Sequence, residues 1–257
     1  MKDDRRTDSI RKEAAFFDRL YSASADEFDI NPRMYRMYAQ PMNAWHIRER
    51  ANMFLGDVGG RRLLDYGCGI GEEAVYFAKL GADVYAIDIS PVAVAITRKR
   101  ALHNGVEARV HAFVMDCTRT AFKDHSFDLI HGLGILHHIG LQAGFGEVKR
   151  LLAPGGKAVF LEHMGNSDLI EGGIKRWLGI PQKYYSEQER PLKWRDCLEY
   201  RSWFAHMEMY PYCLIGRLRR VIPWLGRRAV RRLDHQILTR LPWLRHWASG
   251  LLICIEA

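Results

Sequence analysis

The stretch Leu63-Leu64-Asp65-Tyr66-Gly67-Cys68-Gly69-Ile70-Gly71 constrains the fold more than any other part of the chain. An apolar run leads into an acidic residue, and glycines follow at every second position. The run predicts a buried strand, and the glycines the turn that ends it. Glu72 to Leu80 has helical periodicity through Ala74, Phe77 and Ala78. The local unit is therefore strand, glycine turn, helix. Glycine lacks a Cβ and accepts positive φ, so a ligand can lie against this backbone. Asp65 stands at the strand end, where it can meet a cationic or hydroxylated group.

Spacing narrows the ligand. A nicotinamide dinucleotide turn places glycine at its first, third and sixth positions. Counted from Gly67, the sixth position is Glu72, and its carboxylate repels a pyrophosphate. A second strand, Asp83-Val84-Tyr85-Ala86-Ile87-Asp88, ends in an acid roughly 20 residues on, the spacing at which a carboxylate takes ribose hydroxyls. Ser90 and Pro91 follow as a helix cap and first helical residue. The implied ligand is a nucleoside with a ribose and no phosphate.

These residues resemble the class I S-adenosylmethionine-dependent methyltransferases: Asp-x-Gly-x-Gly-x-Gly from Asp65 to Gly71, and an acid, Asp88, closing the second strand. The resemblance continues through Val114-Met115-Asp116-Cys117, Phe127 to His131, Gly134 to Ile139, and Glu147 to Gly156, so that Leu63 to Glu162 carries it. It implies a Rossmann-like α/β fold, a seven-stranded, mostly parallel sheet with helices on both faces, and S-adenosyl-L-methionine as cofactor. By the same resemblance, Asp65 and the amides of Gly67, Cys68 and Gly69 hold the amino acid end, and Asp88 takes both ribose hydroxyls. Ile89 packs on the adenine, Asp116 accepts from its exocyclic amine with Cys117 beside it, and Leu133 lines the methionine side. Glu162 to Asn166 and Glu189 to Leu192 also resemble a bacterial small-molecule subgroup, which favours a small methyl acceptor.

The predicted elements are strand 63–66, helix 72–80, strand 83–88, helix 91–103, strands 110–116 and 127–132, helix 142–152 and strand 157–163. Residues 206–215 and 250–256 read as a closing antiparallel hairpin. In such a sheet ligands sit beyond the carboxyl ends of the strands, which puts Asp65, Asp88, Asp116, Leu133 and Glu162 on one rim. Ahead of the sheet, residues 1–60 form an expected helical cap. Within it, Thr7 to Tyr21 is amphipathic, with Ile10, Ala14, Phe17 and Leu20 at helical spacing, and Tyr35, Tyr38 and Trp45 either line the pocket or pack the helices. Residues 61–257 form the expected methyltransferase domain, interrupted by 164–193, read as an acceptor lid, and 217–247, a basic helical excursion.

The 257 residues suffice for one large core. No apolar run reaches the ~20 residues that span a bilayer, and the charged first dozen residues lack a signal-peptide stretch, so the expected location is cytoplasmic. The five cysteines lie far apart without a Cys-x-x-Cys pair, which suggests neither a disulfide framework nor a metal site. Of the net charge of +8, six units fall in residues 206–257, where nine arginines face Glu208, Asp234 and Glu256. In 217–247, Leu218, Val221, Ile222 and Leu225 form one apolar face and Val230, Leu233, Ile237, Leu241 and Leu244 another, with Arg227, Arg228, Arg231, Arg232 and His235 opposite. Such a segment packs on its own domain or a twin subunit, lies on lipid, or binds phosphates.

The expected reaction is O-, N- or C-methylation of a small hydrophobic metabolite. Its candidate bases are His137 and His138, with Glu162 orienting the acceptor; an imidazole of ordinary pKa near ~6.5 suits proton removal at neutral pH. Two alternatives remain open: methylation of RNA or protein held by the arginine-rich segment, and a non-catalytic membrane-surface module.

Overall fold

The computed structural model describes residues 2–22, 28–30, 47–165, 192–215 and 226–257. Two helices precede the sheet, α1 (Lys2–Ser22) and α2 (Ile47–Leu55). The alternating part then runs β1 (Arg62–Tyr66), α3 (Glu72–Lys79), β2 (Asp83–Asp88), α4 (Pro91–His103), β3 (Val110–Val114) and β4 (Phe127–Leu133). It continues through α5 (Leu136–Ile139), α6 (Leu141–Leu151) and β5 (Leu152–His163). After α7 (Trp194–Leu198) come β6 (His206–Tyr212), α8 (Arg227–Arg240), a 3-10 turn at Pro242–Trp247, and β7 (Gly250–Glu256). Tyr35, Tyr38, Trp45 and most of the 164–193 insertion lie outside the described residues, as do Leu218, Val221, Ile222 and Leu225.

All seven strands form one sheet in the order β3-β2-β1-β4-β5-β7-β6. Pairing is parallel from β3 to β5, and β7 runs antiparallel to both β5 and β6. The α/β expectation is met, including the closing hairpin. The sheet is buried on both faces because adjacent apolar residues point opposite ways. Leu63, Leu129, Val159 and Leu252 join one core, while Leu64, Ile130, Phe160 and Ile253 join the other.

Two local expectations shift, and one element is added. Strand β5 begins at Leu152 rather than at 157, because Leu152 already pairs with Phe127 before the register slips at Phe127/Leu129. Residues 136–139, between the predicted strand 127–132 and helix 142–152, form a helical turn. The second apolar face of the excursion is re-aimed. Val230, Asp234 and Leu238 are its buried stripe, and Leu233 and Leu241 face solvent. Asp234 can occupy that stripe because its Oδ1 accepts the Ile215 amide at 2.6 Å, which offsets the cost of burying a carboxylate.

Two details set the site. Ser90 caps α4 by accepting the Ala93 amide at 3.0 Å, with Pro91 in the first turn. Gly71, at φ +77°, opens α3; a Cβ there would stand 2.6 Å from the Thr97 side chain, so the bare backbone lets α3 and α4 approach.

Candidate active site

The strand order reverses between β1 and β4, the position where open α/β sheets bind ligands. A cavity of about 250 Å³ opens there. Gly67, Asp88, Ile89, Asp116, Cys117, Leu133 and His138 line it, so seven of the expected site residues converge from four strand ends and one helix. Gly67 can lie there because it has φ +77°; a Cβ would run into the Ile135 side chain at 2.7 Å.

Asp88 is the electrostatic centre of the cavity. Its Oδ2 accepts the Gly69 amide at 2.8 Å and its Oδ1 the Ser90 amide at 2.9 Å. Burial nevertheless pushes its carboxyl up to about 6; those amides pull it down and neighbouring Asp65 adds to the rise. Asp116 accepts from the Thr118 amide at 2.7 Å and from its hydroxyl, so it both closes the turn after β3 and faces the cavity.

Other expected residues stand elsewhere. Asp65 and Cys68 do not line the cavity. Asp65 is buried, its Oδ1 3.3 Å from His131 Nδ1, while its Oδ2 has no hydrogen-bond partner. Burial raises its carboxyl above the usual range. The backbone amides expected to hold an amino acid end are spent within the protein. Gly67 and Cys68 donate to the Ile87 carbonyl at 3.0 and 2.8 Å, and Gly69 donates to Asp88. The first two extend the β1–β2 pairing beyond the strand end, which sequence spacing does not reveal.

The catalytic candidates separate. Glu162 and His137 are buried together, with His137 Nδ1 2.6 Å from Glu162 Oε2. Glu162 Oε1 accepts the Ile135 and Leu136 amides at 2.9 and 2.8 Å. That carboxylate holds the start of α5, and neither residue lines the cavity. His138 does, with Nδ1 3.1 Å from Glu13 Oε1.

Glu13 belongs to α1, which covers the cavity. Ser9, Ile10, Glu13, Phe17 and Tyr21 face it, whereas Leu20, expected on the inner stripe, is 43% exposed. Helix α1 is anchored by Asp18, which accepts from the Ser90 hydroxyl and the Val92 amide. The Tyr21 hydroxyl lies 3.1 Å from where a Gly69 Cβ would stand. Burial, with Asp88 beside it, raises the Tyr21 phenol above its ordinary pKa. The signal missed in the sequence was a carboxylate inside an apolar stripe, since 10, 13, 17 and 21 share one helical face.

The residues fit a sulfonium nucleoside. Asp88 offers a carboxylate for hydroxyls, Ile89 and Leu133 offer apolar walls, and Asp65 carries an unpaired buried oxygen on the neighbouring strand. The fold is that of class I methyltransferase domains, and the cavity lies where such a fold binds its ligand. Residues 63–156 match the family described as a methyltransferase domain. A ubiquinone biosynthesis O-methyltransferase of Nitrosococcus oceani is 32% identical over 121 residues, covering 47% of this chain and 49% of that protein. A sterol 4-C-methyltransferase of Caenorhabditis elegans is 30% identical over 106 residues, covering 41% of this chain and 32% of its own length. The matched segment thus spans half or less of these relatives. Among solved structures, geranyl diphosphate C-methyltransferase from Streptomyces coelicolor, in complex with geranyl diphosphate and S-adenosylhomocysteine, superposes with a TM-score of 0.58 at 15% identity, covering 86% of this chain and 87% of that one. Among the described residues no helix is long and apolar enough to cross a membrane.

Proposed function

We propose that this protein is an S-adenosylmethionine-dependent methyltransferase acting on a small, hydrophobic metabolite. The carrying observation is the cavity at the β1/β4 switch point, where Asp88, Asp116, Leu133 and His138 meet under α1. S-adenosylmethionine would supply a methyl group already activated on a sulfonium. What remains for the protein is alignment, which can provide ~7–11 kcal/mol of a bimolecular barrier. Asp88 would hold the ribose hydroxyls, Ile89 and Asp116 the adenine side, and Leu133 with Gly67 the methionine side. Helix α1 contributes the cavity's cover through Ser9, Ile10, Glu13, Phe17 and Tyr21.

For an acceptor that carries a proton, His138 is the base we favour. Its Nδ1 faces Glu13, which leaves Nε2 as the atom to take the proton. His137 and Glu162 fix the turn on which His138 sits. A base so placed adds ~10²–10⁴-fold. The apolar walls, together with relatives named for quinone and sterol methylation, support a hydrophobic acceptor.

The test is calorimetric titration with S-adenosylmethionine and S-adenosylhomocysteine, followed by mass spectrometry of ligands carried through purification. Micromolar binding of both is expected. Absence of heat with either would sink the proposal.

Affinity should also depend on pH in a defined direction. Ribose hydroxyls donate to Asp88, so binding needs its ionised form. With the free carboxyl titrating at about 6, S-adenosylhomocysteine should bind about fourfold more weakly at pH 5.5 than at pH 7.5. Stability of the ligand-free chain moves the other way. Its folded-state pKa lies above the unfolded value, so the contribution of Asp88 is full below ~4 and is lost as pH rises through about 6. Titration and thermal melts across this window check both signs.

A further inference from the structure

The cofactor cavity leaves the segment between β6 and β7 without a role. Its position is informative. His163, the last residue of β5, pairs with Gly250, the first of β7, and Gly250 pairs with Tyr212, the last of β6. The segment therefore departs from and returns to the sheet at the carboxyl rim, the edge on which Asp88 and Leu133 open into the cavity.

Its outward surface is also unusual. Helix α8 packs inward through Val230, Asp234 and Leu238. Outward it shows Arg231, Arg232, Leu233 and Arg240. The chain then presents Leu241, Trp243 and Trp247. Leu233 is 45% exposed, Leu241 42%, Trp243 64% and Trp247 57%. Asp234 is the sole acidic residue between 226 and 249, and it is turned inward onto the Ile215 amide. Residues 226–249 are thus basic, aromatic and aliphatic at once and contribute no exposed carboxylate of their own.

Three occupants can be weighed by chemistry. A second copy of the chain, meeting this face about a two-fold axis, would set one basic face against another, and like charges in contact are repelled. A single-stranded nucleic acid would pair with the arginines and stack on the tryptophans, but leave Leu233 and Leu241 in water. An anionic bilayer satisfies every component. Arginines meet headgroup phosphates, tryptophans sit at the interface, and leucines enter the acyl boundary.

We propose that the outward face of α8, with Leu241, Trp243 and Trp247, docks on an anionic lipid bilayer. Docking by this face sets the carboxyl rim against the membrane, beside any acceptor dissolved in it. The proposal goes beyond methyl transfer and stands on the surface alone.

The experiment is co-sedimentation of the full chain with phosphatidylcholine vesicles, with and without phosphatidylglycerol, alongside two double variants, Trp243→Ser/Trp247→Ser and Arg232→Gln/Arg240→Gln. The wild type should sediment only with the anionic vesicles and release as salt rises from about 0.1 to about 0.5 M. Each variant should partition at least about tenfold more weakly, while retaining the wild-type melting temperature. Three results would overturn the idea: no sedimentation with anionic vesicles, sedimentation that neither variant reduces, or a dimer that the tryptophan variant dissociates. Displacement from vesicles by single-stranded RNA, unaffected by the tryptophan change, would equally overturn it and assign the face to nucleic acid.

Discussion

Replacing Asp88 with alanine should weaken S-adenosylhomocysteine binding by at least about 100-fold, because one carboxylate carries two duties. In the ligand-free protein it ties the Gly69 amide and the Ser90 amide, one on the glycine turn and one at the head of α4. In the complex its remaining lone pairs would meet the ribose hydroxyls. A hydrogen bond to a charged group contributes ~1.5–3 kcal/mol, and two lost together exceed the ~2.7 kcal/mol that 100-fold requires. The alanine variant also frees Gly69, so the turn loses its fixed geometry. Asp88→Asn separates these duties. It retains an acceptor for one amide and the steric fill, and should fall between wild type and alanine in affinity. The buried charge itself is a burden on the folded chain, since its carboxyl sits at about 6. Asp88→Asn should therefore lose affinity without losing stability at pH 7.5. Titration calorimetry and thermal melts on the same samples decide the matter. An alanine variant that binds as tightly as wild type would remove Asp88 from the site.

How much of this site is readable from the chain depends on whether the information is local. The glycine turn and the acid ending β2 are fixed by neighbours within a few residues, so their positions follow from spacing. Ser90 as a cap is legible for the same reason. Pairings across the sheet are not. Nothing near Gly67 or Cys68 says that their amides continue onto the Ile87 carbonyl, because that contact depends on the register of β1 against β2. The same holds for Glu162. Its place at the end of β5 is legible, but its partners are the amides of Ile135 and Leu136, which belong to the loop after a different strand. Helix α1 shows the limit most clearly. Its amphipathic character is plain, yet the exact stripe shifted by one position, from Leu20 to Tyr21. A helix turns 100° per residue, so so small a shift exchanges a solvent-facing leucine for a buried phenol beside Asp88. Helix α8 repeats the lesson. The sequence assigns Asp234 to no face, and it turns inward onto the amide of Ile215, 19 residues earlier in the chain.

Replacing Glu162 with alanine should cost stability rather than chemistry, and by a large amount. The side chain is 1% exposed. It satisfies two backbone amides at the start of α5 and an imidazole nitrogen of His137. Helix α5 is only four residues long, too short to hold itself by propagation, so its geometry rests on this carboxylate. Removal leaves two amides without their acceptor and deprives buried His137 of a close partner. Leaving a buried donor without its acceptor costs about 1–3 kcal/mol, so losing the shared acceptor of two amides costs about 2–6 kcal/mol. For a chain of this size each kcal/mol lowers Tm by ~2–4 °C, so a drop of roughly 10 °C is expected. Glu162→Gln keeps an oxygen for both amides and should lose roughly half as much. A residue acting only as a catalytic group would behave in the opposite way, leaving Tm unchanged in both variants while abolishing turnover. Differential scanning calorimetry on the two variants separates these cases before any acceptor is known. A Glu162→Ala protein that melts with the wild type would return Glu162 to the list of groups facing the substrate. The coupling to function runs through the next residue. His138 follows His137 on the same turn, so a loosened α5 also loosens the Glu13–His138 contact that joins α1 to the cavity wall.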